Sequence, residues 1–214
     1  MTGFINIHAT KKLAAKLPLN ENGLLKAKQA KAAGDSAGLS PTDISHHNPL
    51  NNWHANLLTL QRRNCVLFVH NETRFPVFVK GLLKPDFAEL AWHFEDGLMN
   101  TLLKLDANQQ QLDTAAKYLA TLTFDTTCDR SVQGTMNRMA GDIDHIIYID
   151  QLKIEEVSTY KLGAWLAERP CNIKSQKEWV FPKEAMLAKL GESTLPPSNL
   201  VPDNVIHIKR NKNI

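Results

Sequence analysis

The sequence predicts an α+β fold, a short antiparallel sheet with a central hairpin packed by amphipathic helices. Three observations carry that expectation. Cys65-Val66-Leu67-Phe68-Val69 is apolar at every position, as in a strand covered on both faces. Ala55 to Gln61 and Cys65 to His70 are two β-type runs separated by the polar segment Arg62-Arg63-Asn64, which reads as a hairpin. Phe87, Leu90, Ala91, Phe94, Leu98 and Leu102 recur at three- and four-residue steps, the stripe of an amphipathic helix.

Taken in order, Phe4 to His8 alternates as a short strand, and Thr10 is placed to cap a helix running to Lys16 before Pro18 stops it. Residues 20 to 52 are polar, first Ala/Lys-rich (Leu24 to Ala33, a candidate exposed helix), then rich in Gly, Ser, Pro and Asn, and read as an insertion or long surface excursion. After the hairpin, Asn71 to Arg74 forms a turn and Phe75 to Lys80 a third strand, which Pro76 confines to an edge or a terminus. Asp86 and Glu89 have capping-box spacing ahead of the Phe87 to Leu102 stripe. Gln110 to Ala120 reads as a helix and Leu122 to Thr126 as a brief strand. A long helix follows, from Thr127 or Asp129 to about Tyr148. Residues 155 to 168 read as a helix ended by Pro170, Pro182 to Leu190 as a short helix closed by Gly191, and Asn204 to Lys209 as a weak strand. The expected organisation is a single domain over 1–190 and a C-terminal extension over 191–214.

At 214 residues the chain is long enough for one sizeable core. Apolar content of 43% and charged content of 22% are ordinary globular values. No apolar run approaches the roughly 20 residues a bilayer demands, and Met1 to Lys12 lacks a secretory pattern, so a cytoplasmic protein without membrane association is expected. Cys65, Cys128 and Cys171 are odd in number and widely spaced, which argues for free thiols rather than disulfides or structural zinc. The net charge of +3 resides at the two ends: residues 53 to 204 carry more acids than bases, and Lys11, Lys12, Lys16, Lys209, Arg210 and Lys212 are terminal. Nucleic-acid binding through these termini is an alternative, but a folded basic face is not evident.

The helix after Asp129 carries the one unusual pattern. Val132, Met136, Met139, Ile143 and Ile146 or Ile147 form its apolar stripe. At 100° per residue, Arg130, Gly134, Asn137, Gly141 and Asp144 fall on the opposite side within roughly 80° of one another. Each interior glycine costs up to about 1 kcal/mol relative to alanine, so the pair needs a reason or an indifferent context. One reading is a shallow polar groove with Arg130 facing an anion or carbonyl; the others are a solvated face and a tight contact with the protein's own chain. Trp53, His54, Asn56, Arg62 and Arg63 bracket the first hairpin strand and form a second candidate recognition cluster, against which stands a structural role for the same residues. No metal-binding spacing links His46, His47, His54, His70 and His93, and no nucleophile elbow or phosphate-binding glycine loop occurs. No metal or other cofactor is expected.

The segments Trp53-His54-Ala55-Asn56-Leu57, Arg62-Arg63-Asn64-Cys65-Val66-Leu67-Phe68 and Arg130-Ser131-Val132-Gln133-Gly134-Thr135-Met136-Asn137 stand in this order. Together they resemble an uncharacterised bacterial family catalogued as a domain of unknown function, with W-x-A-N-L, R-R-x-C-x-L-F and R-S-x-x-G-x-M-N motifs, over Ile5 to about Pro182. The resemblance implies an architecture and points to the same residues; it implies no reaction. The stretch up to Asn52 and the tail after Leu190 look longer than in that family.

The functional expectation is a binding or regulatory module that recognises an unidentified protein or small polar ligand. An alternative is an enzyme acting on a small polar or anionic substrate, with Arg130 and Asn137 orienting it and His54 as general base.

Overall fold

The computed structural model describes residues 4–26, 48–173 and 179–192. Strand β1 (Phe4–Ala9) and a single helical turn, α1 (Lys11–Ala14), open the fold. A meander follows, of β2 (Trp53–Leu60), β3 (Arg63–His70) and β4 (Pro76–Leu82). After a 3₁₀ turn over Pro85–Glu89 come α2 (Leu90–Lys104), α3 (Gln109–Tyr118), β5 (Thr121–Asp125) and the long α4 (Arg130–Ile149). Helix α5 (Thr159–Ala167), the short pair β6 (Cys171–Asn172) and β7 (Trp179–Val180), and α6 (Pro182–Glu192) complete the described chain.

The fold is α+β. Its five-stranded sheet has the order β4-β3-β2-β1-β5. The β2-β3-β4 part is antiparallel as expected, but the sheet as a whole is mixed, because β1 pairs in parallel with both β2 and β5. Pro76 opens β4 on the outer edge, where its missing N–H takes no bond from the ladder.

The β2-β3 turn is Gln61-Arg62 rather than Arg62-Arg63-Asn64. Both turn residues have positive φ (45° and 65°), the backbone of a tight two-residue hairpin, so Arg63 and Asn64 are free to join the ladder opposite Leu60 and Thr59. Asp86 does not cap a helix. Its carboxylate accepts from Leu83 N inside the 3₁₀ turn, and α2 begins only at Leu90. Thr10 likewise makes no side-chain cap; its hydroxyl donates to Asn56 Oδ1 (3.0 Å), and the helix it precedes ends at Ala14.

The alternation of β1 sorts its side chains between two cores. Ile5, Ile7 and Ala9 join Trp53, Ala55, Leu57, Phe68 and Val77 under α1, α2 and α3. On the opposite face, Leu67, Val69 and Phe78 meet the α4 stripe of Val132, Met136, Met139, Ile143 and Ile147. Because β3 is covered on both faces, Cys65 through His70 are all buried. Trp53, Phe68 and Phe94 pack edge to face at 5.0 Å between centroids, a geometry that adds to their area burial. Gly97 lets α2 lie close on the sheet, since a Cβ there would sit 2.7 Å from Val77 Cγ1.

Outside β5 the chain returns along the edge. Phe124 N donates to Gly23 O (2.8 Å), and a Cβ on Gly23 (φ +72°) would lie 2.4 Å from Phe124 O, so only glycine fits. Leu24 is therefore bridged to Thr123, and Leu25 to Leu19, rather than helical, and Lys26 is not helical either; residues 27–33 of the candidate helix lie outside the described residues, as do His46, His47 and the Asn204 to Lys209 strand. The far end of the 20–52 segment is built into the core, with Leu50 buried and Asn48 Nδ2 donating to Tyr118 O.

His70 is fully buried against Trp53. Its Nδ1 accepts from Thr73 N (3.2 Å) and its Nε2–H donates to Asn51 O (3.0 Å), so the ring is neutral. Burial pushes its pKa from 6.5 down to about 4. Between these values the unfolded chain binds a proton that the folded chain does not, so stability is complete above about pH 6.5 and falls as the pH drops toward 4. A shift of this size corresponds to about 3 kcal/mol. In urea denaturation, the stability gap between the wild type and His70→Gln should narrow by roughly that amount between neutral pH and the lower limit. Parallel pH dependence in the two proteins would mean that His70 is not held neutral.

Candidate functional site

Helix α1 leaves the end of β1 toward one face of the sheet, where Leu13 enters the Ile5–Trp53 core, whereas α4 leaves β5 toward the other. Adjacent parallel strands whose following helices part in this way leave a crevice beyond their carboxyl ends, the usual ligand position in open α/β sheets. Here that crevice measures about 380 Å³ and is lined by His8, Thr10, His54, Thr126, Cys128 and Gln133, with Lys11 and Lys12 at α1. The parallel register puts Asp125 and His54 on either side of His8. Helix α4 packs chiefly on β2 and β3, and the crevice beside it is lined by its Gln133 and Met136 together with His8 and His54.

The three side chains of the row are engaged differently. His8 Nδ1 donates to Asp125 Oδ1 (2.7 Å), an acceptor that also takes Thr127 N (2.8 Å). Partial burial raises the Asp125 pKa, but the bonds from His8 and Thr127 outweigh it and hold the carboxyl below its ordinary value. With Nδ1 donating, His8 Nε2 is the acceptor nitrogen, and no described residue engages it. His54 stacks 4.9 Å from His8 but has both nitrogens in use: Nδ1 bonds Asn71 Oδ1 (2.7 Å) and Nε2 accepts Asp129 N (2.8 Å). Burial, with lesser contributions from His8 and Arg74, lowers its pKa despite the bond to Asn71. His54 thus serves as a fixed neutral support for the start of α4, and its lone pair is not free to act as a general base. Asp129 completes that start by accepting Ser131 N and Val132 N.

The residues singled out in the sequence do not converge. Trp53 is wholly buried and its indole N–H donates to Leu50 O (2.7 Å), so it belongs to the core rather than to a recognition surface. Asn56 is tied to Thr10. Arg62 and Arg63 stand at the turn end of the hairpin, about 20 Å from His54 at 3.3 Å per residue, and Arg63 pairs with Glu155.

The α4 face itself is intact. The helix is unbroken from Arg130 to Ile149, and among the described residues nothing lies within 4 Å of a Cβ built on Gly134 or Gly141, so no described segment packs closely against either glycine. Arg130 and Gly134 line a second cleft, of about 600 Å³, with Ser131, Thr135, Arg138, Asn172 and Trp179. Asn137 and Gly141 are exposed on the ridge beyond it, and Asp144 lines a separate hollow with Gln61 and Leu152 near the far end of the helix.

His8, Asp125, Cys128, Arg138 and Trp179 escaped sequence reading. The only available signal was a histidine on the face opposite Ile5 and Ile7 in the alternating opening strand. Among the described residues no group of three or more His, Cys, Asp and Glu is placed to hold a metal ion, and no helix is long and apolar enough to cross a membrane.

A family model described as a domain of unknown function, DUF6933, matches residues 6–185. The chain belongs to this family. No curated protein and no solved structure matches the chain. The DUF6933 match takes in β1 from Asn6 onward, β5 and all of α4, so the crevice and the α4 ridge both lie within the family's extent.

The open environment of Gly134 contrasts with that of Gly97. Gly134→Ala should raise the stability measured by urea denaturation by about 0.5–1 kcal/mol, the helix-propensity gain with nothing to oppose it. Gly97→Ala has the same local gain but must displace Val77, and should lower stability by about 1–3 kcal/mol. Destabilisation by both variants would place a neighbour against Gly134.

Proposed function

We propose that this chain is a small-molecule binding module whose ligand seat is the crevice at the carboxyl ends of β1 and β5. The single observation carrying this reading is His8, held by Asp125 through one nitrogen with the other left without a partner among the described residues inside a concave, polar-lined site. A ligand that donates a hydrogen bond to Nε2 suits the site, and the hydroxyls of Thr10 and Thr126 and the cations of Lys11 and Lys12 favour a polar or anionic one. Cys65, Cys128 and Cys171 are free thiols, which supports placing the module in the cytoplasm, and the resemblance of its motifs supports a bacterial cell.

Cys128 supplies a direct assay, because it is exposed in the crevice whereas Cys65 and Cys171 are buried. A panel of small carboxylates, phosphate esters and polyols should contain at least one chemotype that slows iodoacetamide alkylation of Cys128 in the folded protein. Thr126→Trp, which fills the crevice from an exposed position, should abolish that protection, and His8→Ala should weaken it about tenfold or more. Absence of protection across the panel, or protection indifferent to both variants, would reject the seat.

A second reading, enzymatic, is favoured by the same pair: a histidine oriented by a carboxylate, with a free acceptor nitrogen, is the arrangement of a general base. Once a protecting chemotype is known, His8→Gln should then remove turnover of it while leaving Cys128 protection measurable. Bound but unturned compound in the wild type would leave binding as the function.

A further inference from the structure

We infer that the cleft between α4 and the β6-β7 pair is a second, separate ligand site, built for a phosphate monoester carrying a flat heteroaromatic ring, the chemistry of a mononucleotide. Its walls divide by character. On α4, Arg130 and Arg138 flank Gly134, and opposite them stand Asn172 and Trp179, which are paired across the two short strands.

Charge decides for an anion. Among the described residues neither Arg130 nor Arg138 forms an ion pair or a side-chain hydrogen bond, whereas nearby Arg169 pairs with Asp142 (3.3 Å) and stacks on Trp165. Behind Ser131, a lining residue, lies a third guanidinium. Arg74 is only 4% exposed, donates through Nη2 to Ser131 Oγ (3.1 Å) and through Nη1 to Asn71 O, and has no hydrogen-bond partner for Nε among the described residues. The Asp129 carboxylate acts on Arg74 from nearby but forms no ion pair with it among the described residues, and guanidinium forks match phosphate oxygens two at a time.

Shape and stacking decide for the ring. Trp179 is 57% exposed, a large aromatic surface left uncovered at the rim. Across from it the bare backbone of Gly134 has open space where a side chain would stand, so a flat group could lie close to the helix. A volume of about 600 Å³ falls within the range, roughly 300–1,000 Å³, of small-molecule sites. Aromatic stacking tolerates any base, so the site selects the ring-plus-phosphate class rather than one nucleobase.

Isothermal titration calorimetry on the full chain with AMP, adenosine, ribose 5-phosphate and inorganic phosphate tests this. AMP should bind, and each of the other three should bind at least about tenfold more weakly. Arg138→Ala and Trp179→Ala should each weaken AMP at least about tenfold with unchanged melting temperature, and Arg138→Lys should recover only part of the loss, because an ammonium keeps the charge without the fork. Three results would overturn the inference: no AMP binding at millimolar concentration; AMP binding that survives both alanine variants; or binding that is lost in Thr126→Trp, which would assign the nucleotide to the crevice instead. A single-stranded oligonucleotide binding more than about a hundredfold tighter than AMP, with affinity falling steeply with salt, would also overturn it, since the cleft would then be part of a nucleic-acid surface.

Discussion

The parallel placement of β1 between β2 and β5 is the constraint on which the rest of the molecule depends. It brings His8 level with Asp125, 117 positions away in the chain, and with His54 on the other side. It obliges the chain to leave the ends of β1 and β5 at neighbouring points, and the two exits turn to opposite faces, toward α1 and α4. A crevice is the geometric remainder of that divergence. Were β1 antiparallel to β5, His8 and Asp125 could still pair, but their chain exits would lie at opposite ends of the sheet.

Three histidines at strand ends show how partners rather than residue type settle a role. His70 is enclosed, with both nitrogens satisfied by the backbone of Thr73 and Asn51, and serves packing. His54 spends its lone pair on Asp129 N and its N–H on Asn71, and thereby fixes the first turn of α4. His8 has one nitrogen satisfied by a carboxylate and the other without a partner among the described residues. A general base must have an unspent lone pair, and the bond that Asp129 N donates to His54 Nε2 leaves His54 without one.

Where local physics decides, the sequence was legible. The unbroken apolar run of β3, the stripe of α2, the edge position forced by Pro76 and the pitch of α4 all appear as read, because each depends on residues within a few positions of one another. The misses have two physical origins. Gln61 and Arg62 adopt a positive-φ turn without glycine or asparagine, so no turn chemistry marked it, and the end of β2 was placed one residue late and the start of β3 two residues late. The remaining misses are tertiary. Nothing near Trp53 announces that Leu50 O will accept its indole N–H and allow full burial, and nothing near His8 names the strand that will lie beside it. Trp179 sits in a strand of two residues, too short to have a period.

The long helix separates two chemistries by its pitch alone. With about 100° between successive residues, Gln133 and Met136 turn toward the β1 side while Gly134, Thr135 and Arg138 turn the other way, and Asn137 and Gly141 stay exposed on the ridge. The flank beside β1 has a histidine–carboxylate pair and small hydroxyls; the flank beside β6 and β7 has guanidiniums and an indole. The two hollows therefore differ in the side chains they present, an imidazole with hydroxyls on one flank and guanidiniums with an indole on the other. A side chain at Gly134 would narrow the arginine flank, because the glycine lines that cleft and has open space where a Cβ would stand.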